Sequence, residues 1–241
     1  MSNIRTRKSV RHKTFYVLSA PIVEFWREPF YNRSGDGENI QGEEWLWEVG
    51  REILEMKAIE LLETSPVIAA VKDDKGLQRC FESECQVVFV LYGNICNIGG
   101  IVRQIQEHEK IAIVHVDLTA GLNAKEVAVD FIKQTTSADG IISTKPLLVK
   151  RAQELGLYGV QRTFMIDSMA VNTMKKQIDT FHPDLVEVMP GIIPKVLKEI
   201  REYTDIPIIA GGLISDKKDI MAAFAAGADA ISTTKEDLWF A

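Results

Sequence analysis

The sequence predicts an α/β protein whose parallel strands close into a compact (β/α)8 barrel of the TIM type. Three observations predict this fold. Short apolar strands alternate with amphipathic helices from about residue 65 onward, the strands number eight, and the last two lead into loops rich in glycine and hydroxyl side chains. Apolar strands joined by helices are typical of a parallel sheet covered on its outer face, and eight such units favour closure into a barrel.

The predicted strands are short runs of β-branched and apolar residues. They lie at Val67–Val71, Gln86–Leu91, Ile111–Val116, Gly140–Ser143, Tyr158–Arg162, Leu185–Met189, Ile206–Ala210 and Ala230–Thr233. Helical periodicity is found between several of them, at Lys125–Thr135, Leu147–Leu155, Ser168–Phe181, Pro194–Tyr203 and Asp216–Ala226. An open doubly wound sheet is the alternative. It is disfavoured because no G-x-G-x-x-G sequence follows the first strand and the glycine-rich loops come last.

The amino-terminal region differs in composition from the barrel. Residues 1–55 are predicted to form a poorly ordered or partly helical extension, and residues 56–241 the barrel domain. Only Glu43–Leu62 has a helical pattern here, which predicts a cap before the first strand. The first 13 residues are basic, which is consistent with an RNA-binding arm, but a solvated tail is the favoured interpretation because the basic run is short and unrepeated. A further hypothesis is that the natural chain starts at Met56; peptides from before Met56 in the native protein would contradict it.

Composition limits the classes of protein to consider. The chain has 241 residues, of which 46% are hydrophobic, so it can bury a large core. No run approaches the roughly 18 apolar residues of a membrane span, and the start lacks the apolar core of a secretory signal. We therefore expect a cytoplasmic protein without membrane contact.

Cys80, Cys85 and Cys96 lack the spacing of a disulfide framework or a zinc site. The formal charge of -6 requires any nucleic-acid partner to meet a local basic patch.

The last two predicted strands end in residues suited to hold a phosphate. Gly211 and Gly212 let the backbone approach an anion closely, and Ser232, Thr233 and Thr234 add hydroxyl donors. Loops after the seventh and eighth strands form the phosphate site of many barrels of this type. A plain turn after a buried strand is the alternative for the two glycines.

Polar residues also follow the third to sixth strands. Asp117, Lys145, Arg162 and Glu187 are predicted to gather at the barrel mouth, because functional side chains lie at the carboxyl ends of barrel strands. Lys145 and Arg162 are suited to an anion, and Asp117 and Glu187 to the hydroxyl groups of a ligand. The alternative is that both basic residues only pair with neighbouring carboxylates. The preferred interpretation is a site for a small polyol phosphate.

The sequence contains no convincing catalytic apparatus. His115 is interpreted as a hydrogen-bonded core residue, and no nucleophile, metal or cofactor motif accompanies it. Asp117 and Glu187 remain open as a general acid/base pair. The rival interpretation is accordingly an enzyme, an isomerase, lyase or synthase of a small phosphorylated polyol. A scaffold without a ligand is the third alternative, and it leaves the polar strand ends unexplained.

Several motifs, in order along the chain, resemble the glycerol uptake operon antiterminator family. The resemblance covers about Ser65 to Trp239 and leaves residues 1–55 outside. It is carried by Asp139-Gly-Ile-Ile-Ser-Thr-Lys145, Gln161-Arg-Thr-Phe-Met-Ile-Asp-Ser168, Val188-Met-Pro-Gly-Ile-Ile-Pro194 and Pro207-Ile-Ile-Ala-Gly-Gly-Leu-Ile214.

The resemblance implies a transcription regulator and no catalysis. Proteins of this family respond to glycerol-3-phosphate as effector, with no other cofactor, and act on the leader mRNA of glycerol-use genes to prevent termination and stabilise the transcript. It implies that Gly211, Gly212, Thr233 and Thr234 hold the phosphate. The RNA-binding surface and any homo-oligomer remain open. Basic clusters that would suit RNA, but are also typical of solvated helices, lie at Lys175-Lys176, Lys195, Lys198, Arg201 and Lys217-Lys218.

Overall fold

The computed structural model describes residues 62–240. The strands in this range are β1 (Val67–Val71), β2 (Val87–Val90), β3 (Ile111–His115), β4 (Gly140–Ser143), β5 (Tyr158–Phe164), β6 (Leu185–Met189), β7 (Ile208–Gly211) and β8 (Ala230–Thr233). The helices are α1 (Asp74–Phe81), α2 (Ile98–Glu107), α3 (Val127–Thr135), α4 (Pro146–Glu154), α5 (Ser168–Phe181), α6 (Pro194–Tyr203) and α7 (Lys217–Ala225), with 3-10 turns at Val116–Leu118 and Glu236–Phe240.

The eight strands form a closed parallel barrel in sequence order, with β8 paired to β1. The predicted (β/α)8 fold is therefore confirmed. Helices α1 and α2 complete the first two units, for which no helix was predicted. Strand β7 begins at Ile208, two residues later than predicted, and Pro207 before it has no N–H group for the ladder. The predictions for residues 1–61 lie outside the described part of the chain.

Side chains of alternate strand residues fill the barrel interior. This inner cluster contains Ile68, Ala70, Val87, Phe89, Ile113, Ile142, Val160, Leu185, Ile209 and Ala230, and Leu62 packs into it from the amino-terminal side. Residues with the opposite alternation pack against the helices that surround the barrel. Because the strands run parallel, continuing the inner alternation by two residues brings Arg162, Glu187 and Ser232 to the same end of the barrel.

Three aspartates fix neighbouring strands at the opposite end. Asp139, Asp184 and Asp229 each stand one residue before an even-numbered strand and accept a hydrogen bond from the backbone N–H of the strand before it. The donors are Ala112, Gly159 and Ile208, at 2.8, 2.8 and 2.7 Å. Each carboxylate satisfies a backbone amide at the barrel rim, which helps to hold the register that aligns the strand ends.

Within residues 62–240, no helix combines the length and the apolar character that crossing a membrane would require.

Candidate ligand-binding site

A cavity of about 510 Å³ opens at the carboxyl ends of the strands. This volume lies within the range of about 300–1,000 Å³ that is usual for small-molecule sites. The residues that line the cavity are Ala70, Lys72, Leu91, Arg162, Glu187, Met189, Gly212, Leu213, Ile214, Ser215, Ser232, Thr233, Thr234 and Lys235. The structure thus brings together five of the eight residues predicted for the ligand: Arg162, Glu187, Gly212, Thr233 and Thr234.

The floor of the cavity contains a buried ion pair. Arg162 and Glu187 are register partners on β5 and β6, and the Arg162 Nε donates a hydrogen bond to Oε2 of Glu187. Ser232 on β8 donates to the other carboxylate oxygen, Oε1, at 2.5 Å. Glu187 is fully buried, and Arg162 is 7% exposed. Both carboxylate oxygens are therefore already engaged by protein donors.

Arg162 retains donors for a ligand. Its Nε serves Glu187, and within the described residues neither Nη group makes a hydrogen bond. Since a guanidinium carries five N–H donors, those on the two Nη groups are available where Arg162 lines the cavity. Arg162 pairs with a carboxylate, as the alternative prediction for this residue stated. The same ion pair orients the N–H donors on its two Nη groups.

Gly211 makes this arrangement possible although it does not line the cavity. A Cβ at Gly211 would lie 2.5 Å from Oε1 of Glu187 and 2.7 Å from Oγ of Ser232. Both distances are shorter than a side chain tolerates, so the glycine leaves room for the contact between these two side chains. Its role in the structure is to admit the ion pair, whereas a direct phosphate contact stays a prediction.

Gly212 turns the chain at the cavity wall. It has a φ of 70°, and the following Leu213 also has a positive φ, of 60°. A Cβ on Gly212 would lie 2.7 Å from Cε of Met189. In the described residues, the backbone N–H groups of Gly212, Leu213 and Thr234 donate to no other protein group. Free amides at a sharp turn form a concave donor surface that suits an anion.

The two threonines at the end of β8, Thr233 in the strand and Thr234 directly after it, differ in the hydrogen bonds that they leave for a ligand. The Oγ1 of Thr233 donates to the backbone oxygen of Ile214 at 3.1 Å and accepts from the backbone N–H of Lys235 at the same distance. The Thr233 hydroxyl therefore holds the loops after β7 and β8 together. Thr234 is exposed, and no hydrogen bond in the described residues involves its hydroxyl, so this side chain is available to a ligand.

Asp117 and Lys145 form a separate cluster outside the cavity. Lys145 Nζ lies 2.6 Å from Oδ1 of Asp117, while Ser143 Oγ and the Thr144 backbone N–H donate to Oδ2 at 2.9 and 2.8 Å. Neither Asp117 nor Lys145 lines the cavity. Burial raises the pKa of Asp117, but the hydrogen bonds from Lys145, Thr144 and Ser143 outweigh it, and the net pKa is lowered. The cluster joins the turn after β3 to the loop after β4.

His115 is buried as predicted, but without the predicted hydrogen bond. It is 3% exposed, and its Nδ1 has no hydrogen-bond partner in the described residues; Oδ2 of Asp117 is 3.9 Å away. Burial lowers the pKa of His115 to about 4, and the positive charge of Arg162 acts in the same direction. The imidazole is therefore neutral near pH 7. Within residues 62–240, no group of three or more His, Cys, Asp or Glu residues is placed to hold a metal ion.

Sequence reasoning missed two lysines of the cavity. Lys72 directly follows β1, and Lys235 stands two residues after β8. Lys72 is two residues beyond Ala70, whose side chain faces the barrel interior, so strand alternation contained the signal. It was missed because the first strand ends in no glycine-rich or otherwise distinctive sequence.

The closed barrel and its polar cavity at the strand ends define a TIM-barrel protein with a candidate small-molecule site. Residues 67–239 match the glycerol-3-phosphate responsive antiterminator family, and the chain belongs to this family.

One curated protein and two solved structures are similar to this chain over most of their length. The uncharacterized protein YgcP of Escherichia coli (strain K12) is 46% identical over 184 residues, which are 76% of this chain and 96% of YgcP. The glycerol uptake operon antiterminator regulatory protein of Listeria monocytogenes is 32% identical, with a TM-score of 0.70 over 72% of this chain and 94% of the other. An antiterminator-related protein of Thermotoga maritima is 33% identical, with a TM-score of 0.66 over 73% and 98% of the two chains.

Proposed function

We propose that this protein is a glycerol-3-phosphate sensor that binds the leader mRNA of glycerol-utilisation genes, prevents transcription termination and stabilises the transcript. The proposal is supported by membership of the antiterminator family and by the names of the Listeria and Thermotoga relatives. In this proposal the effector occupies the cavity as a signal and undergoes no reaction. The protein acts in the cytoplasm, where the transcript is made.

The observation that carries the proposal is the composition of the cavity. One end presents free backbone amides at Gly212, Leu213 and Thr234, which suit a phosphate. The buried pair of Arg162 and Glu187 supplies oriented polar groups for the hydroxyls of a glycerol unit. A small phosphorylated polyol matches both features.

The effector would act through the loops at the cavity mouth. Large apolar side chains of the loops after β5 and β7 are exposed, including Ile166 at 86% and Leu213 at 70%. Leu213 also lines the cavity, so a bound effector would contact a segment that extends to the surface. Coupling to RNA requires that the RNA-competent arrangement of these loops binds glycerol-3-phosphate more tightly than the idle one.

The decisive experiment measures binding of the purified protein to the leader RNA of glycerol-utilisation genes from the same organism, with and without glycerol-3-phosphate. Fluorescence anisotropy at about 50 and about 200 mM salt separates specific from purely electrostatic binding. We expect RNA binding to tighten with the effector, while an unrelated RNA of equal length does not respond. Leader RNA binding that is absent in both conditions, together with turnover of phosphorylated polyols, would instead identify an enzyme.

A further inference from the structure

The cavity contains more positive charge than its ion pair uses. Its charged lining residues are Lys72, Arg162, Glu187 and Lys235. Arg162 and Glu187 neutralise each other in the buried pair. Two cationic side chains therefore remain, and they come from the ends of β1 and β8, the two strands that close the barrel.

Neither lysine has a counter-charge in the described part of the chain. Within residues 62–240, no salt bridge or hydrogen bond involves the Nζ of Lys72 or of Lys235, although both side chains are exposed. The acidic residues beside Lys72 serve other groups. Asp73 accepts the backbone N–H of Gly76 at 2.7 Å, and Asp74 accepts the hydroxyl of Tyr92 at 2.7 Å.

The two unpaired positive charges of the lysines balance the charge of a phosphate monoester, which is about -1.5 to -2 at pH 7. A phosphodiester carries a single negative charge and a free polyol carries none. Free backbone amides form hydrogen bonds with each phosphate type, so the amides of the Gly212 loop do not distinguish them. The two lysines respond to the total charge, because the second negative charge of a monoester strengthens the charge-assisted contact that each lysine makes.

We propose that Lys72 and Lys235 together make the cavity selective for a terminal, dianionic phosphate monoester. This inference rests on the proposed function and specifies which chemical class of effector the site accepts. The lysines bind the phosphate from the β1 and β8 side, the amides of Gly212, Leu213 and Thr234 bind it from the loops, and Arg162 faces the polyol. The same arrangement disfavours phosphodiesters of glycerol, whose second substituent removes one charge.

Calorimetric titration with two compounds tests the proposal: glycerol-3-phosphate and its methyl phosphodiester. The proteins compared are the wild type, Lys72→Met, Lys235→Met and the control Lys150→Met, which changes an exposed lysine of α4, a helix that contributes no residue to the cavity lining. We expect the wild type to prefer the monoester. Each cavity variant should weaken monoester binding about 10- to 100-fold, the range for a lost hydrogen bond to a charged group, and weaken diester binding distinctly less. Lys72→Arg should retain most of the preference.

The outcomes separate this inference from the function on which it rests. If the wild type binds glycerol-3-phosphate and both Lys→Met variants keep the preference for the monoester, the lysines do not select the ligand and only the present inference is overturned. Equal weakening for both compounds would also overturn it, since that result reports a structural defect. If the wild type binds neither compound, the proposed function and the inference both fail. Thermal unfolding of each variant shows whether it is folded.

Discussion

Arg162 and Glu187 stand directly opposite each other on β5 and β6 and form a buried ion pair beneath the cavity. Breaking a buried pair by removing one partner leaves an uncompensated charge and typically costs about 3–5 kcal/mol. Replacing both partners removes that penalty. The pair therefore determines both the shape of the cavity floor and a considerable part of local stability.

Arg162→Met and Glu187→Gln should each lower the free energy of unfolding by about 3–5 kcal/mol in urea titrations, because each leaves one charge buried alone. The double variant should lose less than the sum of the two single variants, and the difference is the coupling between the residues. Additive losses would show that the two side chains do not interact in solution.

Gly212→Val should abolish the response to glycerol-3-phosphate, since its Cβ would meet Cε of Met189 and its φ of 70° disfavours a β-branched residue. Ligand binding by calorimetry and RNA binding by anisotropy provide the two measurements. Gly100→Val is the matched control, because nothing lies within 4 Å of a Cβ at Gly100. A Gly212→Val protein that responds normally would place the effector elsewhere.

Asp117→Asn should lower the free energy of unfolding by about 1–3 kcal/mol near pH 7, because the amide cannot replace an ionised acceptor of several donors. Lys145→Met should cost less than about 1 kcal/mol, since that side chain is 45% exposed. The net pKa of Asp117 is lowered by folding, so the stabilisation is complete above its unfolded pKa of about 3.9 and is lost as pH falls through the lower folded value.

That dependence is measured by the difference in unfolding free energy between the wild type and Asp117→Asn at several pH values. The difference should stay constant from about pH 7 to about pH 5 and shrink below about pH 4. A difference that grows on acidification would contradict the lowered pKa.

His115 should make the fold sensitive to mild acid. Its pKa is about 4 in the folded protein against about 6.5 in the unfolded chain, so the unfolded state binds more protons between these values. Stability is therefore full above about pH 6.5 and declines as pH falls toward 4, by roughly 1–3 kcal/mol. His115→Phe should lack this component. Urea titrations of the two proteins at matched pH values, with Arg162, Asp117 and Lys145 unchanged in both, provide the test.

RNA binding should depend on lysines that the structure leaves without a counter-charge. Lys175 forms an ion pair with Glu199 at 2.8 Å, and Arg201 forms one with Asp229 at 3.0 Å. These two residues of the basic clusters predicted to suit RNA therefore already have acidic partners within the protein. Among the described residues of the predicted clusters, the exposed lysines without an ion pair are Lys176, Lys195, Lys198, Lys217 and Lys218.

Charge reversal on the neighbouring helices α6 and α7 tests this surface. Lys195→Glu with Lys198→Glu, and separately Lys217→Glu with Lys218→Glu, should weaken leader RNA binding and reduce the dependence of log affinity on log salt by about one for each lost phosphate contact. Lys125→Glu with Lys150→Glu, two exposed lysines outside α6 and α7, is the control with equal charge change. Effects of the same size in all three proteins would indicate attraction by net charge without a defined surface.

The sequence by itself determined the fold and the residues at the strand ends. Apolar strands such as Val67–Val71 and Leu185–Met189, repeated between helices, have the pattern typical of a parallel sheet covered by helices, and alternation placed Glu187 at the barrel mouth. These properties depend on local or periodic patterns of residues, so they can be inferred from the amino-acid sequence alone.

Only the tertiary structure decided which of the strand-end residues meet. Asp117 and Lys145 pair outside the cavity, Arg162 and Glu187 pair within it, and Lys72 joins them from the first strand. The distances between side chains of different strands depend on barrel closure, stagger and the turns between strands and helices. Because β1 and β8 become neighbours only on closure, the approach of Lys72 and Lys235 to one cavity has no counterpart in sequence spacing.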